Sequence, residues 1–137
     1  MIRAATMTLL AAACTASGTP RARAAPAVQV SGAFTAAQAQ RGGQTFARVC
    51  LDCHALGDFR GEDFAFTWRQ RTAWDFYRVI SETMPEDNPG NLSDAAYVDI
   101  VAYVLSMNGY RAGPAELPAS RAALAGIPIG PAAERAP

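Results

Sequence analysis

The five residues Cys50-Leu51-Asp52-Cys53-His54 constrain this chain more than any other stretch, because they gather its most reactive side chains within little more than one helical turn. They hold two of the three cysteines and the only histidine among 137 residues. Four readings compete for them. A thioredoxin-like dithiol expects a preceding strand and a βαβ context, whereas the residues before Cys50 have a helical period. A structural zinc site takes four Cys or His ligands, and only three remain once an export segment containing Cys14 is removed. A simple disulfide leaves His54 unexplained. Attachment of c-type haem uses all three side chains at this spacing.

The chemistry explains the order of the residues. Two thiols add to the two vinyl groups of the porphyrin, and a helical turn sets them the right distance apart. The adjoining imidazole of His54 then binds the iron from beneath as the proximal ligand. A second histidine does not exist, so the other axial ligand falls to methionine. Met1 and Met7 lie in the export segment, which leaves Met84 and Met107. Met107 ends an amphipathic helix and is by default a packing residue. Met84 precedes Pro85 in a loop, thirty residues after His54, where a side chain can be aimed at the far face of a ring. The competing reading of Met84 is a core filler at a helix end. Ligation by His54 and Met84 raises the potential of the iron and leaves no open position, as suits passing electrons and not binding oxygen.

The N-terminus reads as an export signal over 1–24. Arg3 precedes an uncharged run that is too short and alanine-rich for a membrane span, and Ala22 to Ala24 offer an A-x-A cleavage site. Lipoprotein processing at Cys14, with Ala11 where leucine is usual, is one rival, and a retained N-terminal anchor is the other. Cleavage removes three arginines and no acids from a chain with twelve of each sign, which leaves a charge of −3. All the basic residues are arginine and none form a run, so nothing points to nucleic acid. No membrane span is expected in the mature form, and the export signal implies the periplasm.

Past a lead-in at 25–33, the pattern is all-α. Thr35 can cap a first helix that runs to Cys50, with Phe46, Val49 and Cys50 on one face. Gly42 and Gly43 weaken it by about 1 kcal/mol each, a cost that suggests a close backbone approach. Residues 55–66 read as irregular. A middle helix capped by Thr72 carries Phe76, Val79 and Ile80, and ends before Pro85 and Pro89. Ser93 caps the last helix, whose stripe is Tyr97, Ile100, Val101, Val104 and Leu105, with Asn108-Gly109 as its stop. Residues 111–137, rich in Pro and Ala, read as an extended tail.

As a set, these pieces resemble the class I c-type cytochromes over residues 34–110. The resemblance rests on Gly42-x-x-x-Phe46-x-x-x-Cys50, then Cys50-x-x-Cys53-His54, then Met84-Pro85, then Tyr97 and Ala102-Tyr103. It implies first and last helices crossing around one covalently bound haem, with Gly42 facing Tyr103. The stretch from Thr83 to Leu117, with Phe64-x-x-x-Trp68, is similar to the monohaem cytochromes that serve periplasmic quinoprotein alcohol dehydrogenases. Trp68, Arg69 and Arg71 are candidates to meet haem propionates, or else a solvated arginine pair beside a core tryptophan.

The expectation is therefore an electron carrier and not an enzyme. It would take single electrons from a dehydrogenase and pass them to a cytochrome or terminal oxidase, and substrate chemistry would belong to the partner. The alternatives are a haem subunit of a larger complex, and a haem sensor or enzyme with a displaceable axial ligand.

Overall fold

The computed structural model describes residues 32–130. The expected export signal, Cys14 and residues 131–137 lie outside them. Helix α1 (Ala36–Val49) begins where expected, with the Thr35 hydroxyl accepting from the Gln38 N–H at 3.0 Å. Helix α4 (Asp94–Met107) begins at Ser93, whose hydroxyl accepts from the Ala96 N–H at 3.2 Å. These two helices form the principal packing pair, and the two glycines are where they meet.

A Cβ at Gly42 would stand 1.8 Å from the Asp99 carbonyl oxygen, so the backbones of α1 and α4 touch there. Gly43, not Gly42, faces the Tyr103 ring, where a Cβ would stand 3.0 Å from the nearest ring carbon. The expected close approach is present, but its partner shifts by one helical position: Gly42 meets backbone and Gly43 meets the aromatic ring. Phe46, one turn further along α1, is buried against Tyr103 with ring centroids 5.3 Å apart.

Residues expected to be irregular contain a short 3-10 turn (Leu56–Phe59) and helix α2 (Gly61–Thr67). Helix α2 escapes a periodicity argument because two turns show too little pattern, and Phe64 is its one buried side chain. Strand β1 (Arg71–Thr72) leads into α3 (Ala73–Thr83). There Thr72 and Asp75 cap reciprocally: the Asp75 carboxylate accepts from the Thr72 N–H at 2.8 Å, and these bonds hold Asp75 below the usual carboxylate range. Helix α3 buries Ala73, Phe76, Tyr77 and Ile80. Val79, expected on that stripe, is 40% exposed, because the buried face follows the 73, 76, 77, 80 spacing and Val79 points the other way.

Helix α4 departs from the one-sided stripe in the other direction. All five expected positions are buried, and so are Val98, Asp99 and Ala102. Helix α1 covers Asp99 through Gly42 and Arg41, and the C-terminal segment runs back over the domain. Phe34 and Ala112 form a parallel bridge, and Leu117, Leu124 and Ile129 are buried. Helical turn α5 (Arg121–Leu124) is followed by strand β2 (Pro128–Ile129), antiparallel to β1 with Arg71 opposite Ile129. Apart from these two-residue strands the described residues are helical or irregular, as expected for an all-α chain.

Two polar clamps fasten this segment. Gln38 is 1% exposed, and both ends of its amide are bonded: Nε2 donates to the Leu117 carbonyl at 2.9 Å, and Oε1 accepts from the Leu117 N–H at 2.8 Å. Arg41 forks onto both Asp99 oxygens at 2.9 and 3.1 Å, and reaches Glu116 at 2.9 Å. Both carboxylates raise the guanidinium's affinity for its proton. One helix thus grips both its crossing partner and the tail. Among the described residues no helix is long and apolar enough to cross a membrane.

Candidate functional site

The motif continues α1 by one further turn. Cys50 caps the helix, with its N–H donating to the Phe46 carbonyl at 2.8 Å. Its own carbonyl then accepts from the Cys53 N–H at 3.3 Å and the His54 N–H at 2.9 Å. Because these bonds keep Cys50 to His54 in a single turn, both thiols and the imidazole are presented from one short, fixed piece of backbone.

The two thiols are free, Cys50 partly buried and Cys53 exposed. Burial pushes the Cys50 thiol up to about 11. Dithiol oxidoreductases need the opposite shift, since their attacking cysteine works as a thiolate. Zinc fares no better: among the described residues no group of three or more His, Cys, Asp or Glu could hold a metal ion. Two free thiols followed at once by an imidazole, on one turn, fit covalent attachment of haem.

The His54 ring is set by its surroundings on one side. Phe59, at the end of the 3-10 turn, meets it edge-on with centroids 5.3 Å apart, and Phe59 in turn meets Phe46 edge-on at 4.8 Å. Asn108, at the end of α4, donates from Nδ2 to the Phe59 carbonyl at 2.8 Å. Asp58 Oδ2 lies 4.0 Å from His54 Nδ1, too far for a hydrogen bond, and accepts instead from the Ala55 N–H at 3.0 Å. Little in the sequence singles out Phe59. An apolar residue inside "LGDF" was the available signal, and it is faint.

Met84 ends α3 in an extended conformation, is partly buried, and packs against the core. Its carbonyl accepts from the Tyr97 hydroxyl at 2.6 Å. Met107 also packs partly buried against the core, at the end of α4. Trp68, the residue that closes α2, is wedged edge-on against Phe76 at 5.0 Å. The Arg71 guanidinium lies over the Trp68 ring at 5.6 Å, whereas that of Arg69 lies over exposed Phe66 at 3.8 Å. The expected arginine pair therefore divides between two rings, and only Arg71 is joined to Trp68.

Residues 37–104 match the family model described as cytochrome C oxidase, cbb3-type, subunit III. No curated protein and no solved structure matches the chain. The matched segment begins in α1, takes in the motif and α3, and ends within α4. Those are the two crossing helices and everything between them. Such a domain points to electron transfer between redox partners. The match of the segment that carries Cys50, Cys53 and His54 supports a class I c-type cytochrome, and a cytochrome c domain indicates covalently bound haem c as its cofactor.

Proposed function

We propose that this protein is a periplasmic monohaem electron carrier, which takes single electrons from a dehydrogenase of the quinoprotein type and passes them to a downstream cytochrome or oxidase. The observation that carries the reading is the single turn from Cys50 to His54, with both thiols free, inside a segment that matches a cytochrome c family. Cys50 and Cys53 would hold the haem edge, and His54 and Met84 would bind its iron. Trp68 and Arg71 would meet a propionate. The cofactor supplies one-electron chemistry. The chain's residues would fix its position and fill both coordination positions, so this reading assigns substrate chemistry to a partner.

Mass spectrometry of the exported protein should give the processed polypeptide plus one haem that acidic solvent does not extract. Extractable haem would reject covalent attachment. The oxidised protein should show the weak near-infrared sulfur-to-iron band, and it should be reduced rapidly by a quinoprotein alcohol dehydrogenase with its substrate. Slow reduction by that enzyme rejects the donor and leaves the carrier. Rapid peroxide turnover, or tight carbon monoxide binding by the unaltered protein, rejects the carrier.

A second reading has one observation in its favour. The matching family is described as an oxidase subunit, which suits a haem subunit held within a larger complex. Native sizing of the exported protein separates the two: a carrier runs at the mass of one chain, whereas a subunit co-purifies with oxidase haems.

A further inference from the structure

The carbonyl of Met84 forms the neck of the loop that follows α3. The Met84 N–H donates to the Ile80 carbonyl at 3.1 Å as the last bond of the helix. Its own carbonyl accepts from two sides: the Tyr97 hydroxyl at 2.6 Å and the Gly90 N–H at 3.4 Å. The Gly90 bond closes the loop on itself. The Tyr97 bond is the shorter, and it ties the loop to a different element. Tyr97 stands on the first turn of α4 and is 2% exposed. Its ring meets Tyr77 edge-on at 6.4 Å, and the Tyr77 hydroxyl donates to Asp94 at 2.9 Å. A phenol so packed cannot follow the loop if it moves away, so its hydroxyl would lose this acceptor.

We propose that Tyr97 is a positioning residue, which holds the Met84 backbone so that its side chain stays on the haem iron. The inference rests on ligation by Met84. The hydroxyl touches neither iron nor sulfur; it acts through the main chain of the ligand. Release of Met84 from the iron requires the loop to swing, and the swing breaks the part-buried bond from the Tyr97 hydroxyl. Tyr97 therefore sets how often the coordination position opens.

The test is an imidazole titration of the oxidised, haem-loaded protein at neutral pH. Imidazole takes the axial position only in molecules whose methionine has left, so its apparent affinity scales with that fraction. Loss of this hydrogen bond should raise the fraction about tenfold, so Tyr97→Phe should bind imidazole about tenfold tighter. Tyr77→Phe, which loses its bond to Asp94 and leaves both partners of the Met84 carbonyl, should bind as the unaltered protein does. If Met84→Ala keeps the sulfur-to-iron band, ligation and positioning are both overturned. If Met84→Ala loses the band while Tyr97→Phe binds imidazole unchanged, positioning alone is overturned. Equal tightening in the two tyrosine variants means general loosening and also overturns it. Should Tyr97→Phe fail to accumulate, a ring-fluorinated tyrosine at position 97 keeps every ring contact and strengthens the donor. Imidazole should then bind more weakly, and unchanged or tighter binding overturns the proposal.

Discussion

Gly42→Ala tests the geometry on which the domain is built. The added Cβ would stand 1.8 Å from the Asp99 oxygen, 2.4 Å from the Asp99 carbonyl carbon and 3.0 Å from the Ile100 nitrogen. Carbon and oxygen in even a weak hydrogen-bonded contact keep about 3.3 Å, so α1 and α4 must part by about 1.5 Å at the crossing. All three atoms are backbone of α4, and none can rotate aside. Parting the helices also loosens Phe46 against Tyr103, and Phe46 is the buried ring on which Phe59 and then His54 rest. Alanine returns about 1 kcal/mol of helix propensity, while overpacking that moves backbone costs about 3 kcal/mol or more. The net loss should be about 2 kcal/mol or more, against a total stability of about 5–15 kcal/mol. Gly43→Ala supplies the contrast, because its Cβ would meet only the Tyr103 ring, at 3.0 and 3.1 Å, and a partly buried ring can yield. Its propensity gain should hold it within about 1 kcal/mol of the parent. Urea unfolding of the haem-loaded proteins, followed by far-ultraviolet circular dichroism, reads both. A Gly42→Ala midpoint equal to the parent's, or a larger loss for Gly43→Ala, would refute the crossing argument.

Gln38→Leu leaves the Leu117 N–H and carbonyl buried without their partners, at about 1–3 kcal/mol each. The urea midpoint should fall and trypsin should cut faster after Arg121; an unchanged midpoint rejects the clamp. Arg41→Met should destabilise more than Glu116→Gln, since it strands Asp99, whose side chain is 13% exposed, whereas Glu116 is 55% exposed. Equal losses would mean that the buried carboxylate does not need its partner. Burial first, and then the bond to Asp94, push the Tyr77 phenol from 10.0 up to about 12. A raised value means that folding favours the neutral phenol. This contribution is complete below the ordinary value and is lost as pH climbs from 10.0 to about 12. Tyr77→Phe should therefore flatten the fall in unfolding midpoint across that window, and an equally steep fall removes Tyr77 from the account.

The parts of the fold legible in the sequence were those that carry their own local signal. Thr35, Thr72 and Ser93 each accept from a backbone N–H three residues on, as caps must, so all three long helices begin at the expected residue. The paired glycines announced a close approach because glycine is costly in a helix. They could not tell which glycine met which atom, since that depends on the angle at which two helices cross and not on either sequence. The tail was legible least. Leu117, Leu124 and Ile129 have no common period, and the bonds of Gln38 to Leu117 join residues 79 apart in sequence.

The same distinction separates the motif from its supports. Cys50, Cys53 and His54 are adjacent, so their chemistry is readable from spacing alone, whereas the residues that hold the surroundings come from α4, far along the chain. Asp99 sits at the crossing with α1, whose next turn is the motif. Tyr97 fastens the Met84 carbonyl, and Asn108 fastens the Phe59 carbonyl beside His54. The Tyr110 hydroxyl donates to the Pro128 carbonyl of β2, which pairs with the strand leading into α3. In sequence these four positions look like a buried helix and its stop signal. In space the polar atoms of Tyr97, Asn108 and Tyr110 grip the main-chain carbonyls of Met84, Phe59 and Pro128, three segments far apart along the chain. A helix that only packed could be repacked with other apolar residues of similar volume. This one also aims hydroxyls and an amide at chosen carbonyls, so the order Tyr97, Asp99, Asn108, Tyr110 should tolerate far less change than Val98, Val101 or Val104 between them.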